Sequence, residues 1–262
     1  MPPTILDEIL AVADERAATL EGGLPDLIAR ANDQPPARGF KRALIGDGLS
    51  IIAEIKRRSP SAGVIDGSLD PVARAVAYEA GGAAAISVLT EPEFFGGSLE
   101  DLEAVRSAVA VPVLRKDFTR SAAQIWEARA SGADAVLLIV AALDHATLQH
   151  LVGVAADVGV DALVEAHTRE EVDRAVAAGA AIVGVNNRDL ATFVTDLAVA
   201  EGAATAIPDR IVSVGESGVS TIEGAARMRA AGYDAILVGE ALVRHQVPDA
   251  FVSALRSAGG PE

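Results

Sequence analysis

Short apolar segments separated by helix-like stretches limit this chain to very few architectures. Eight such segments recur: Ser50–Ile55, Ala83–Leu89, Val111–Leu114, Asp134–Val140, Asp161–Glu165, Ala181–Val185, Arg210–Val214 and Asp234–Val238. Most are rich in Val, Ile, Leu and Ala, with little alternation between apolar and polar residues. A strand with one wet face alternates, and a strand covered on both faces does not. The segments therefore predict strands buried on both sides. Strands that alternate with helices predict a parallel sheet, and eight units in about 250 residues match a closed (βα)8 barrel. A doubly wound open sheet is the structural alternative, but no G-x-G-x-x-G pattern follows the first strand. The expected fold class is α/β, a TIM barrel with an N-terminal helical extension.

The intervening stretches carry helix signals. Asp70-Pro71 supplies an N-cap with proline at the first helical position. Thr168-Arg169-Glu170-Glu171 and Ser220-Thr221-Ile222-Glu223 fit capping boxes. Gly82, Gly132, Gly179 and Gly232 each close a helix just before a strand, and they recur about every 50 residues, or two βα units. Before the first strand, Leu6, Ile9, Leu10 and Ala13 share one helical face. Residues 1–48 are therefore expected to form a helical extension packed on a barrel of residues 49–258, the whole of 1–262 forming one domain. Trp126 is expected in the core.

Composition narrows the function classes. The chain has no cysteine, which removes disulfides and thiolate metal sites. His145, His150, His167 and His245 show no metal-ligand spacing, so no metal is expected. The first ten residues carry acids and no basic n-region, and no apolar run is long enough to span a bilayer. A cytoplasmic, membrane-free protein is expected. The formal charge of −15 gives no general attraction for nucleic acid or anionic lipid, so an anionic ligand would need a local basic cluster. Lys41, Lys56 and Lys116 are the only lysines among 22 basic residues. Genome bias or a halophile's acidic surface would each account for that scarcity.

A (βα)8 enzyme places its chemistry where strands end. Glu54, Lys56, Arg57, Arg58 and Ser59 follow the first run, Lys116, Asp117 and Phe118 the third, Glu165 and His167 the fifth, Asn186, Asn187 and Arg188 the sixth, and Glu216, Ser217 and Gly218 the seventh. Two of the three lysines thus sit at strand ends. Lysine can be tuned to release a proton, whereas arginine holds its own too tightly. Pairing with nearby acids such as Glu54 and Asp117 is the other reading, and it does not exclude catalysis. Glu54, Glu165 and Glu216 converge with the lysines, an arrangement that drives pKa values apart. Aromatic residues are 3% of the chain, yet Phe94, Phe95, Phe118 and Phe193 all fall in strand-end loops. They predict a pocket for a ring or a dry lid. Gly218 and Gly239 match a phosphate site after strands seven and eight.

These residues carry a resemblance. Ile52-Ala53-Glu54-Ile55-Lys56-Arg57-Arg58-Ser59-Pro60-Ser61 resembles the first-strand signature of the indole-3-glycerol phosphate synthase family. Ser87-Val88-Leu89-Thr90-Glu91, Leu114-Arg115-Lys116-Asp117-Phe118, Leu163-Val164-Glu165, Asn186-Asn187-Arg188-Asp189-Leu190 and Glu216-Ser217-Gly218 follow in the same order. The resemblance spans about residues 5 to 255. It implies ring closure of 1-(2-carboxyphenylamino)-1-deoxyribulose 5-phosphate with loss of carbon dioxide and water, a step of tryptophan biosynthesis, with no cofactor.

By the matching motifs, Lys116 is the general acid at the carbonyl oxygen and Glu165 its acid–base partner. Glu54 and Lys56 orient substrate and move protons in dehydration. Asn186 holds a substrate hydroxyl or orients Glu54. Ser217 and Glu216 line the floor, and Arg188 steers the anionic substrate. Phe95, Phe118, Leu137, Leu190 and Leu237 wall the ring, while Arg58, Ser59, Gly218, Gly239 and Glu240 lie at the phosphate. The implied partner is a phosphorylated small molecule, and the implied assembly a monomer or weak homodimer. The chain departs from the family pattern at Gly215, where serine is expected, at Ala62, which replaces a basic residue, and at Glu240, whose carboxylate must turn from a phosphate.

Three rivals stand beside this reading. A class I aldolase would use a lysine Schiff base, and borohydride would trap its substrate adduct. Phosphoribosylanthranilate isomerase would need a different acid–base pair. A scaffold that had lost turnover would have no reason to keep Lys56 and Lys116 in place of arginine.

Overall fold

The computed structural model describes residues 4–189 and 193–258. Eight parallel strands close into a barrel: β1 Ser50–Ile55, β2 Ala85–Leu89, β3 Val113–Lys116, β4 Ala135–Ile139, β5 Asp161–Ala166, β6 Ile182–Asn186, β7 Val212–Glu216 and β8 Ala235–Val238. Each pairs with its sequence neighbours, and β1 closes on β8 through Ser50–Ala235 to Ala53–Val238. The expected TIM barrel is thus formed. Several strands lie one or two residues later than the apolar segments. At their C-terminal ends β3 takes in Lys116, β6 Asn186 and β7 Glu216, because the hydrogen-bond ladder ignores side-chain polarity.

The pleat sends alternate residues to opposite sides of the barrel wall. Ile52, Leu114, Leu137, Leu163, Ile182, Val214 and Leu237 fill the interior. Ile51, Val113, Val136, Val164, Val183 and Ile236 pack outward against the helices. Both faces are apolar, which is why the strands read as continuous runs.

The expected N-terminal helical extension comprises three helices: α1 Ile5–Leu20, α2 Leu24–Asn32 and α3 Phe40–Leu44. Thr4 and Asp7 form a reciprocal capping box at the start of α1. Phe40 and Leu44 of α3, both fully buried, join the interior cluster of the barrel. Trp126 is only partly buried and packs on the cluster of Leu27, Ala31 and Ala130, not in the main core. Its position on the outer face of α7 (Ala122–Ala130) turns it toward the extension.

Asp70 caps α4 (Pro71–Ala80) as expected. The second capping motif is shifted by one residue, because Thr221 rather than Ser220 accepts from Gly224 N. The first is half formed: Thr168 caps α9 (Arg169–Ala177), but the Glu171 carboxylate accepts from His167 N instead of closing the box. Gly82, Gly132, Gly179 and Gly232 all adopt φ between +84° and +92°, the left-handed cap that other residues rarely adopt.

The amino ends of the strands are tied by acids. Asp134, fully buried before β4, accepts from Val113 N and Arg38 N at 2.8 Å each and pairs with Arg106. Asp161 accepts from Lys41 N, and Asp234 from Ser213 N and Oγ. An unpaired buried donor costs about 1–3 kcal/mol. Asp134→Ala leaves two backbone donors and Arg106 without their acceptor. It is expected to lower stability by about 2–4 kcal/mol, read in urea as a reduced midpoint at unchanged slope.

Candidate active site

The inward positions at the carboxyl ends of the strands are polar. Glu54 on β1, Lys116 on β3, Glu165 on β5, Asn186 on β6 and Glu216 on β7 line one cavity of about 390 Å³. Lys56, Ser217 and Gly239 join them from the adjoining loops. Lys116 Nζ lies 3.0 Å from Glu165 Oε2 and 3.7 Å from Glu216 Oε2. Lys56 Nζ donates to Glu54 Oε1 at 2.6 Å. Lys116 therefore reaches across the barrel to Glu165 and does not pair with adjacent Asp117. The pleat turns Asp117 the other way, where it accepts from Arg16 of α1, Arg115 and Thr90.

The electrostatics follow from burial and proximity. Burial opposes the charge on Lys116, but Glu165, then Glu216 and Glu54 outweigh it, and its pKa rises above the usual lysine range. Burial also opposes ionisation of Glu165. Lys116, His167 and the hydrogen bond from Asn186 prevail, holding Glu165 below the usual carboxylate range. Glu216 goes the opposite way: burial, reinforced by the Glu165 charge, pushes it well above that range. Two carboxyls beside one ammonium are thus pushed in opposite directions, Glu165 toward ionisation and Glu216 toward keeping its proton.

Asn186 Nδ2 donates to Glu165 Oε1 at 3.1 Å, and its Oδ1 accepts from Arg188 N. It orients Glu165 rather than Glu54, whose carboxylate is held on β1 by Lys56. The apolar wall includes Leu137, Leu237, Phe95, Phe118 and Phe193. Phe95 and Phe118 lie 5.9 Å apart between ring centroids. Phe94 is not among the lining residues. Phe95 is placed by the buried Glu91 carboxylate, which caps α5 (Pro92–Phe95) through the N–H groups of Glu93, Phe94 and Phe95.

At the opposite end, Ser217 and Gly218 adopt φ of +60° and +80°. The left-handed form at Ser217 costs about 1–2 kcal/mol. A Cβ on Gly218 would collide with Thr195. This strained turn faces Gly239 and Glu240, where β8 passes into α12 (Glu240–Arg244). The Glu240 carboxylate accepts from Arg244 Nε at 3.0 Å, and both residues line the cavity. Gly215 faces outward onto Met228, so its departure from the family pattern does not touch the pocket.

Arg58 is not brought to the site. In the short hairpin Arg58–Ser59/Gly63–Val64, strand alternation turns Ser59 to the cavity and leaves Arg58 exposed along Gly96. Leu190 lies outside the described residues. Arg188 lines the cavity and donates to Ser61 Oγ at 3.0 Å. Ile5, Leu6 and Ile9 of α1 also line it, a contribution the sequence reading missed. Their helical spacing was visible, but nothing local says where a preceding helix will dock.

Comparisons with known proteins extend along the whole site. Residues 6–255 match the family model described as indole-3-glycerol phosphate synthase. The chain is 50% identical over 255 residues to the indole-3-glycerol phosphate synthase of Streptomyces griseus subsp. griseus, covering 97% of this chain and 94% of the relative. It is 50% identical over 263 residues to that of Kineococcus radiotolerans, covering 98% and 96%. In fold it is similar to a thiamine phosphate pyrophosphorylase from Pyrococcus furiosus, with a TM-score of 0.61 at 17% identity, covering 80% of this chain and 95% of the other.

The division of roles between the two carboxyls is testable through stability. A buried carboxyl with a raised pKa is tolerated while both folded and unfolded chains hold the proton, below about pH 4. As pH rises, the unfolded chain ionises and the folded one does not, so stability falls until the folded pKa is passed. Glu216→Gln removes this penalty. Its thermal midpoint is expected to match wild type near pH 4 and exceed it increasingly toward pH 8. Equal midpoints throughout would show that Glu216 is ionised in the folded protein.

Proposed function

The chain belongs to the indole-3-glycerol phosphate synthase family and is a decarboxylating lyase that makes indole-3-glycerol phosphate, and on that premise we propose how its residues divide the work. The observation that carries the proposal is the Lys116–Glu165–Glu216 cluster facing an apolar wall at one end of the cavity, with a glycine-bearing turn at the other. The substrate is 1-(2-carboxyphenylamino)-1-deoxyribulose 5-phosphate. Its ring lies against Phe95, Phe118, Leu137 and Leu237, and its phosphate at the backbone N–H groups of Gly218, Gly239 and Glu240, with Ser59 nearby. Arg188, at the mouth, draws the anion in against the global charge.

In ring closure, the ring carbon bearing the carboxylate bonds to the sugar-derived carbonyl carbon. Lys116 gives its proton to the carbonyl oxygen, which becomes a hydroxyl. Its ammonium is fully formed before reaction and stabilises the charge developing there. Positive charge appears at the anilino nitrogen, and the ionised Glu165, held by Asn186, stabilises it. The carbon–carboxylate bond then breaks, carbon dioxide leaves, and its electron pair restores the ring. In dehydration the hydroxyl leaves as water with a proton from Lys56. Glu54 takes the proton lost from the adjacent carbon, and the indole double bond forms. Ser217 and protonated Glu216 form the polar floor. No cofactor enters these steps.

The aldolase alternative needs a neutral amine. Lys116 and Lys56 each face a carboxylate at hydrogen-bond distance, and the raised pKa of Lys116 favours its charged form. We read residues 1–262 as one working unit, with residues 1–48 as the extension and 49–258 as the barrel. Among the described residues, no helix is long and apolar enough to cross a membrane. The protein is proposed to act in the cytoplasm on a small phosphorylated substrate, without nucleic-acid or membrane partners. Its exposed large apolar residues include Ile45, Val76, Val199 and Val247, and a monomer or weak homodimer is proposed.

Indole fluorescence after addition of the carboxyphenylamino-deoxyribulose phosphate tests the assignment. Wild type is expected to produce signal. Lys116→Met should lose about 10²–10⁴-fold in kcat, and Lys116→Arg should not restore it, because a guanidinium does not release its proton. Wild-type turnover with an undiminished Lys116→Met rate would remove Lys116 as the acid.

A further inference from the structure

Glu216 is 1% exposed; its Oε2 lies 3.7 Å from Lys116 Nζ, while its Oε1 has no hydrogen-bond partner among the described residues, so no donor fixes where Oε1 lies. The space that Oε1 occupies is left by an absence on the neighbouring strand. Gly184, in the middle of β6, faces the barrel interior between Ile182 and Asn186. A Cβ on Gly184 would overlap Glu216 Oε1 outright and come within 3.1 Å of Glu216 Cδ, while the nearest other atom, Leu163 Cδ1, would be 3.2 Å away. The φ of Gly184 is not in the left-handed region, so the backbone places no demand for glycine here. Glycine inside a strand otherwise weakens it.

We propose that Gly184 is a positioning residue whose missing side chain is the seat of the Glu216 carboxyl. Seated over Gly184, the carboxyl stays low in the barrel, 3.7 Å from Lys116 Nζ, and leaves the 3.0 Å contact to Glu165. With the seat filled, the carboxyl must rise toward the cavity, where Lys116 and Glu165 stand. It would then compete with Glu165 for the ammonium and take space below the ring. Gly239 repeats the device for the other carboxylate–lysine pair. A Cβ there would overlap Glu54 Oε1 and lie 3.2 Å from Lys56 Nζ. Gly184 is the cleaner case because it does not line the cavity or approach the phosphate end. The consequence for turnover rests on the proposed function; the seat itself does not.

A double-mutant cycle tests it, with kcat, KM and thermal midpoint measured for wild type, Gly184→Ala, Glu216→Ala and the double variant. Gly184→Ala in wild type is expected to lower kcat by about 10²-fold, the scale of a displacement near 1 Å, with KM little changed and the thermal midpoint lowered. In the Glu216→Ala background the carboxyl is gone, and the same substitution should change kcat and midpoint by less than about twofold and about 2 °C. Equal losses in both backgrounds, or no loss in either, would overturn the seat. Should Gly184→Ala fail to fold, a double variant that folds with the Glu216→Ala midpoint supports the proposal, and a double variant that also fails overturns it. The midpoints read the seat without any activity, so a wild type lacking turnover would sink the functional reading alone.

Discussion

The pleat of a closed parallel barrel sends each strand residue either to the axis or to the helices, and the site depends on that choice. On β3 it sends Lys116 inward and Arg115 outward, where Arg115 joins Thr90, Glu127 and the following Asp117 in a buried network that Arg16 also enters. On β7 it sends Glu216 inward and Gly215 onto Met228. The hairpin after β1 uses the same period to present Ser59 and withhold Arg58. A one-residue slip in any of these strands would exchange the two sets, so the register that builds the core also selects the chemistry.

Below the polar layer the barrel is apolar, and that is what gives the charges their force. Lys116 and the three glutamates stand on a floor of Ile52, Leu114, Leu163 and Val214. Removed from water, each charge is felt strongly by the next. Glu165 is pushed toward ionisation and Glu216 toward keeping its proton, although both are glutamates at strand ends, because Lys116 is nearer Glu165 and Asn186 donates to Glu165. The two pairs are Lys56–Glu54 and Lys116–Glu165, with Glu216 beside the second and His167 Nε2 3.6 Å from Glu165 Oε1.

Stability and chemistry are separated along the barrel axis. The amino ends of the strands are tied down by Asp134, Asp161 and Asp234 and plugged by Phe40 and Leu44. The carboxyl ends carry the strained Ser217 turn and the cavity. The extension connects the two. Its third helix enters the interior cluster, α2 packs along α7, and α1 reaches the cavity, where Arg16 bonds Asp117 beside Lys116.

The primary structure alone determined the barrel, because eight doubly apolar segments alternating with capped helices admit few other layered solutions. It also determined most of the site. Glu54, Lys56, Lys116, Glu165, Asn186, Glu216 and Gly239 were legible because a barrel converts a position at a strand's end into a position in the pocket. Tertiary structure decided what depends on docking and on partners distant in sequence. The α1 residues reach the cavity through packing, which leaves no local signature. Arg58 turns away because its hairpin forms, and hairpin register is not written in its composition. Asn186 serves Glu165 rather than Glu54, and Lys116 ignores Asp117, because strand order and pleat set those distances. Which glutamate keeps its proton is likewise decided only in three dimensions, since a pKa in a dry interior is set by neighbours within a few ångströms, wherever in the chain they arise.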